Sequence, residues 1–319
     1  MLMRKLRVNF WKVIFLLGFF LSFLLFFAIF FGQITSEHFW YILLQIRIPR
    51  VLVCSLVGAS LALCGVVFQC LLHNSLADPY ILGISAGASF GAVVSFTLKN
   101  FAYVLGIWHT FIFSLLGSFV AALIVLKIFF FKQPQRLILV GVVVQAFFSS
   151  FISLITTLTP YGSIRLQFWL LGGFLARDWN HFFIVFPFFL FCFMLVFLHY
   201  RELNLISFSE RESLNSGVDV ARVRFFFLSL VSILTGVCVS VSGTIGFVGL
   251  VVPHISRILI GSNHFFLIPF ATFLGAIFLV LADLFARFLF YPIEIPVGVI
   301  TSFVGAPFFI FLLKRDKNS

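Results

Sequence analysis

Residues 47–65 read RIPRVLVCSLVGASLALCG, a stretch in which apolar residues follow two arginines. The run after Arg50 carries no charged residue and continues to residue 72. A helix needs about 20 apolar residues to cross the hydrocarbon layer of a membrane. Because lipid offers the backbone no hydrogen-bond partners, a run of this kind indicates a helix rather than a strand. The stretch therefore predicts a membrane-spanning helix over residues 48–72.

The rest of the chain has the same character. Of its 319 residues, 62% are hydrophobic and 10% charged, and the mean hydropathy of +1.19 is not that of a water-soluble domain. We predict an all-α polytopic membrane protein, with residues 1–319 forming a single transmembrane domain. Its ten predicted spans are 10–31, 48–72, 80–98, 108–131, 137–158, 180–199, 225–245, 247–260, 266–286 and 297–313.

The basic residues predict the orientation of these spans. The chain has 21 Lys and Arg against 10 Asp and Glu, mostly in short segments beside apolar runs. That distribution follows the positive-inside rule, and no basic stripe with interleaved aromatic residues indicates nucleic-acid binding. Both termini are basic and an even number of spans places them on one side, so we expect both to be cytoplasmic. On the outer side this leaves Arg47, Arg50, Lys99, Arg165, Arg177 and Arg287.

The chain also resembles itself. The segment 47–65 reads like 221–243, ARVRFFFLSLVSILTGVCVSVSG, with Gly58 and Gly65 matching Gly236 and Gly243. A displacement of five spans reverses direction, so we expect an inverted repeat relating spans 2–5 to spans 7–10. Chance similarity between glycine-containing helices is the alternative.

Motifs for catalysis or metal binding are lacking in the sequence. It has no GxxxxGK[ST] loop for nucleotide phosphates and no HExxH pair. Its five cysteines lie inside apolar runs without the paired spacing of a metal site. We therefore expect no enzyme activity, no metal and no cofactor bound directly by this chain.

Ionisable residues near the membrane are few, and each is a candidate for function. Asp283 and Arg287 are four residues apart and can pair on one helix face. Arg287 joins Arg47 and Arg50 as arginines at outer helix ends, where guanidinium groups suit the recognition of carboxylates on a partner. Anchoring at the membrane interface is the alternative for each.

The polar stretch 200–224 is the only sizeable loop on the cytoplasmic side, and its interleaved apolar and charged residues favour short amphipathic helices that dock a partner. A solvated connector is the alternative. His254 and Arg257, in PHISR, are interpreted as capping or packing residues of a short helix.

Several motifs together resemble the FecCD-type permeases of ABC importers for ferric siderophores, haem or cobalamin. They are RIPR (47–50), GASLALCGVVFQCLLHNSLADPYILGISAGA (58–88), ESLNSGV (212–218), SGTIGFVGLVVPHISR (242–257), LADLFAR (281–287) and EIPVGVITSFVGAPFF (294–309). The resemblance implies a homodimer in the bacterial inner membrane, served by two cytoplasmic ATPase subunits that use ATP and by an external binding protein.

The resemblance also implies roles for particular residues. Arg47, Arg50 and Arg287 would dock the binding protein, and Asn74 and Leu76 would narrow the cytoplasmic gate, although Ser75 replaces the usual proline between them. Contact with the ATPase is implied for Glu212, Leu214 and Gly217. The leading alternative function is a proton-coupled transporter using Asp283 or His254. The sequence leaves the cargo open among siderophore, haem and cobalamin.

Overall fold

The computed structural model describes residues 10–31, 38–75, 77–80, 82–98, 108–129, 134–159, 163–207 and 219–316. These residues form helices and short connections, with no β-strand among them. The helices are α1 (Phe10–Phe30), α2 (Phe39–Leu71), α3 (Ile84–Thr97), α4 (Trp108–Phe129), α5 (Pro134–Leu158), α6 (Ser163–Leu170), α7 (Trp179–Leu198), α8 (Tyr200–Ile206), α9 (Val220–Ser242), α10 (Val248–Ile260), α11 (His264–Phe288) and α12 (Val297–Asp316).

The predicted helical membrane architecture is confirmed. Within the described ranges, 7 helices are long and apolar enough to cross a membrane, and α3, α10 and α12 are shorter apolar helices. Each span predicted from the sequence overlaps one helix of these two groups.

Helix α2 begins earlier than the sequence predicts. Pro49 is typical of a first helical turn, because it lacks an N–H group. The helix nevertheless continues on the N-terminal side of this proline through a π-helical segment, Ile42–Arg47, where the N–H of Ile48 donates to the carbonyl of Leu43. The wider turn accommodates the proline without ending the helix.

Two further differences concern a short extra helix and the start of a long one. Helix α6 lies in a predicted outer loop, and its 8 residues are too few to give a spanning signal. Helix α9 begins at Val220 because the carboxylate of Asp219 caps its first turn, accepting from the N–H of Arg222. Residues 220–224, predicted as part of the loop, are therefore helical, and 208–218 lie outside the described residues.

Small residues set the closest helix contacts. A Cβ on Gly58 of α2 would overlap the carbonyl oxygen of Gly275 in α11. The same addition to Gly236 of α9 would meet the side chain of Ser118 in α4. Close backbone approach replaces the missing hydrophobic driving force between helices in lipid. Helices α2 and α9 are consequently buried in the centre of the bundle, and α1, α5 and α7 expose most of their apolar surface.

Candidate functional site

A cluster of charged residues joins the first turns of α2 to the last turns of α11. Its centre is Asp283, whose Oδ1 accepts from Nη2 of Arg50 at 2.9 Å and whose Oδ2 lies 3.1 Å from Nε of Arg287. The side chain of Asp283 is 1% exposed, and those of the two arginines are 10% and 9% exposed. The pair of Asp283 with Arg287, four residues apart on α11, confirms the expectation from their spacing.

Glu294, in the connection between α11 and α12, completes the surroundings of Arg50. Its two carboxylate oxygens lie 3.0 and 3.2 Å from Nη1 of Arg50. Unlike the other members of the cluster, Glu294 has a side chain that is 38% exposed. Glu294 is the first residue of EIPVG, and nothing in the local sequence shows that it meets an arginine far away in the chain.

Backbone carbonyls at the end of α1 hold the other arginines. Nη1 of Arg287 donates to the carbonyl of Ala28 at 3.3 Å, and Nη1 of Arg47 donates to those of Ile29 and Phe31 at 3.0 and 3.1 Å. The Nε and Nη2 atoms of Arg287 make no hydrogen bond within the described part of the chain, since the contact of Nε with Asp283 is poorly aligned. The cluster thus ties three helix ends together and retains unused donors.

Arg177, in the connection between α6 and α7, adds a further charge beside this cluster. Burial lowers its pKa to about 10, with Asp178 opposing and the positive charge of Arg50 assisting the shift. The guanidinium group still carries its charge at neutral pH. We define the arginine cluster as Arg47, Arg50, Arg177 and Arg287 with Asp283 and Glu294, a set in which positive charges outnumber negative ones.

The structure places the predicted docking arginines together, with two of them buried. Arg47, Arg50 and Arg287 lie at one end of the bundle, as expected. Arg50 and Arg287, however, are not freely presented, because Asp283 holds both of them inside the protein. A buried guanidinium group needs such a partner, since leaving water without one is costly.

A polar cavity of about 760 Å³ lies at the opposite ends of the same two helices. Arg257 of α10 donates through Nη1 to Oε1 of Gln69 in α2 at 2.6 Å, and Nε2 of Gln69 donates to the carbonyls of Gly249 and Leu250 at 3.3 and 3.2 Å. The described lining residues are Gln69, Cys70, His73, Asn74, Ser75, Asn204, Ser207, Arg257, Ser262, Asn263 and His264. We refer to this feature as the polar cavity.

Short helix α8 forms one wall of the polar cavity and is tied to its neighbours. Nε2 of His73, just beyond α2, lies 2.7 Å from the carbonyl oxygen of Ile206. On the other side, Oδ1 of Asn204 accepts from the backbone N–H of His264 at 2.9 Å and lies 2.8 Å from its Nδ1. A movement of α8 therefore acts on the end of α2 and on the start of α11.

The connection that follows α2 contains the predicted gate. Asn74 and Ser75 line the polar cavity, and the N–H of Ala77 donates to the carbonyl of Asn74 at 3.2 Å, so the turn forms with serine in place of proline. Leu76 lies outside the described residues, as do Glu212, Leu214 and Gly217.

Asp78 links this connection to the start of α10. Its Oδ1 accepts from the N–H of Tyr80 at 3.2 Å and lies beside Gly249. Burial raises the pKa of Asp78 to about 6, and the backbone N–H groups of Tyr80 and Phe247 oppose that shift. The Asp78 carboxylate therefore accepts a hydrogen bond from the backbone N–H of Phe247, the residue before α10.

The model of the FecCD transport family matches residues 8–315. The chain belongs to this family. Members of it are the permease subunits of ABC transporters, and the ATPase is a separate subunit. This FecCD permease is accordingly a transport protein and not an enzyme.

Individual relatives agree with that membership. The permease is 43% identical over 296 residues to the ABC transporter permease YvrB of Bacillus subtilis, covering 90% of this chain and 83% of that one. It is 35% identical to the hemin permease HmuU of Yersinia pestis, covering 89% and 86%, and 36% identical to the molybdate permease MolB of Haemophilus influenzae, covering 87% and 82%.

A solved structure extends the agreement to the fold. This FecCD permease is similar to a metal-chelate type ABC transporter in an inward-facing conformation, with a TM-score of 0.86 and 32% identity. The similarity covers 95% of this chain and 99% of the other.

Proposed function

We propose that this FecCD permease is the membrane subunit of an ABC importer that carries an iron chelate or haem across the bacterial inner membrane. The fold carries this proposal, because it agrees with a metal-chelate type transporter over almost the whole chain. Among the relatives one is named for hemin and another for molybdate, which supports a metal-containing anion or chelate as the cargo class.

In this proposal ten helices cross the membrane, with both termini in the cytoplasm. Two short helices, α6 and α8, lie at the membrane surfaces. An inverted repeat is supported by packing, since α2 meets α11 at Gly58 and α9 meets α4 at Gly236, the glycine that corresponds in sequence. With this orientation the arginine cluster faces outward and the polar cavity faces the cytoplasm.

The assembled importer is a homodimer with two ATPase subunits and an external binding protein. Closure of the ATPases on ATP moves the loop 200–224, where Glu212, Leu214 and Gly217 make the contact. Helix α8 passes this movement to the end of α2 through His73, and to the gate at Asn74 and Leu76. Switching between outward-open and inward-open arrangements then follows from helix movements that the loop biases.

Arg47, Arg50 and Arg287 dock the binding protein by attracting carboxylates on its surface. The excess of positive charge in the arginine cluster supports this role, as does the position of Arg47, which is only half-buried. Electrostatic complementarity of this kind governs the encounter rate and orientation more than the final affinity.

The test is uptake into proteoliposomes that contain this permease, its ATPase and the binding protein. We expect uptake of a ferric chelate or haem only with all three proteins and ATP, and no ATP turnover by the permease alone. Omitting the ATPase while imposing a proton gradient is the control. Uptake driven by that gradient alone would show that the chain is a secondary transporter instead.

A further inference from the structure

Glu294 covers the part of Arg50 that Asp283 leaves open. Oδ1 of Asp283 accepts from Nε and Nη2 of Arg50, at 3.3 and 2.9 Å. The two carboxylate oxygens of Glu294 accept from Nη1 of the same guanidinium group. We infer that Glu294 is an internal competitor for the carboxylates of the binding protein, an inference that rests on the proposed docking at the arginine cluster.

Burial separates the roles of the two acidic residues. Asp283 is 1% exposed and bridges Arg50 to Arg287 in the interior, so it fixes the arginines in position. Glu294 is 38% exposed and lies in a connection between helices rather than within one. A carboxylate arriving from outside reaches Nη1 of Arg50 at the place that Glu294 occupies, and it must displace Glu294 to pair there.

The charges around Arg50 favour such an exchange. The positive groups near it are Arg177 and Arg287, and the negative ones are Asp283 and Glu294. When Glu294 leaves Nη1, the buried Asp283, and Asp178 beside Arg177, remain to balance four guanidinium groups. The vacated position therefore attracts a second carboxylate, and the partner that fits is a protein surface presenting Glu or Asp.

Replacement of one carboxylate by another keeps docking weak. The intermolecular pair formed with Arg50 is offset by the intramolecular pair that is lost, so less net affinity results than the arginines alone would give. A binding protein that must dock and leave in every transport cycle needs this reversibility. Glu294 thus lowers the affinity of the arginine cluster for the binding protein and makes no attractive contact with that protein itself.

The test compares two variants of Glu294 in the assembled transporter, using the binding protein that stimulates its ATP turnover. Glu294→Gln removes the competing charge, and we expect docking about two- to five-fold tighter at low salt, the range of a partly exposed ion pair. Glu294→Asp keeps the net charge and withdraws the carboxylate by one methylene group, so docking should again tighten, but less. Asp316→Asn, which removes one negative charge at the last residue of α12, at the other end of the bundle and outside the loop 200–224, is the control.

Each result bears on the inference. Docking by Glu294→Gln that equals or falls below that of the wild type overturns it. Tightening by Glu294→Gln together with wild-type docking by Glu294→Asp also overturns it, because long-range charge would then explain the effect. Thermal unfolding of each variant shows whether the fold is intact.

A separate variant tests the docking surface itself. Reversal of Arg50 or Arg287 is unsuitable, because a new carboxylate would face Asp283 inside the protein. Arg47→Glu alters a less buried member of the cluster. We expect this variant to bind the binding protein more weakly than the wild type, and we expect added salt to weaken docking to the wild type. If neither changes the affinity, the docking assignment fails. If both do and the Glu294 variants do not, only the competitor role fails.

Discussion

Gln69 and Arg257 are joined by a hydrogen bond of 2.6 Å that links the end of α2 to α10. The guanidinium group is half-buried where it lines the polar cavity, and no carboxylate lies within ion-pair distance of it in the described part of the chain. The Gln69 side chain therefore has a partner at each end. Its amide oxygen accepts from the charged guanidinium group, and its amide nitrogen donates to two backbone carbonyls.

Gln69→Leu should lower the free energy of unfolding. The substitution leaves Arg257 without this acceptor and two carbonyls without their donor, so we expect a loss of about 1.5–3 kcal/mol, the range for a hydrogen bond to a charged group. Thermal unfolding in detergent measures it. Ser229→Ala is the control, because that exposed hydroxyl bonds only within α9. Equal stability of the two variants would contradict the role assigned to Gln69.

Gly58→Ala should disrupt the contact of α2 with α11. The added Cβ overlaps the carbonyl oxygen of Gly275, which is backbone and cannot turn aside. Overpacking of this kind costs about 1–3 kcal/mol. Gly18→Ala in α1 is a matched control, since its Cβ would meet nothing closer than Phe273 at 3.9 Å. We expect the thermal stability to fall in Gly58→Ala and not in Gly18→Ala. Equal thermal stability of the two variants would show that α2 and α11 can move apart at no cost in stability.

Asn204→Ala should uncouple ATP turnover from uptake. It removes the oxygen that accepts from His264, so α8 no longer moves with α11. Gly217→Val is expected to act in the same way, because in the proposed contact with the ATPase a β-branched side chain adds bulk where glycine has none. Ser207→Ala is the control, since its hydroxyl bonds to the carbonyl of Asn204 in the same segment. Assembly, ATP turnover and uptake are measured together, and normal coupling in the Asn204 variant would exclude this route.

Asp78→Asn should make stability less dependent on pH. The pKa of Asp78 is about 6 in the folded protein and near 3.8 when unfolded, so the folded state binds the proton more tightly. The stabilisation from that proton is complete below about pH 4 and is lost as the pH rises through 6. Above that, ionisation costs up to about 3 kcal/mol.

Asparagine keeps the acceptor for Tyr80 and cannot ionise. The variant should therefore unfold at a higher temperature than the wild type near pH 7.5, with the difference shrinking near pH 5. Thermal unfolding at both values checks this expectation. A difference that does not change with pH would mean that another group titrates.

Composition and apolar run length predicted the class of the protein and the approximate position of its apolar helices. Apolar runs long enough for lipid leave the backbone one way to satisfy its hydrogen bonds, so composition and run length suffice for the spans. The spacing of Asp283 and Arg287 likewise predicted their pair, because residues four apart share a helix face. Helix α6 was not predicted, because a short helix at the surface needs no apolar run.

Contacts between groups far apart in the chain depend on how the helices pack. Arg50 meets Glu294, and Gln69 meets Arg257, across separations of 244 and 188 residues that no local pattern encodes. The sequence placed Arg50 at a helix end, but its burial depends on Asp283 approaching from α11, and that approach depends on the absence of a side chain at Gly58 and Gly275. Helix packing, which follows from the shapes of many residues at once, therefore determined the charged surroundings of both sites.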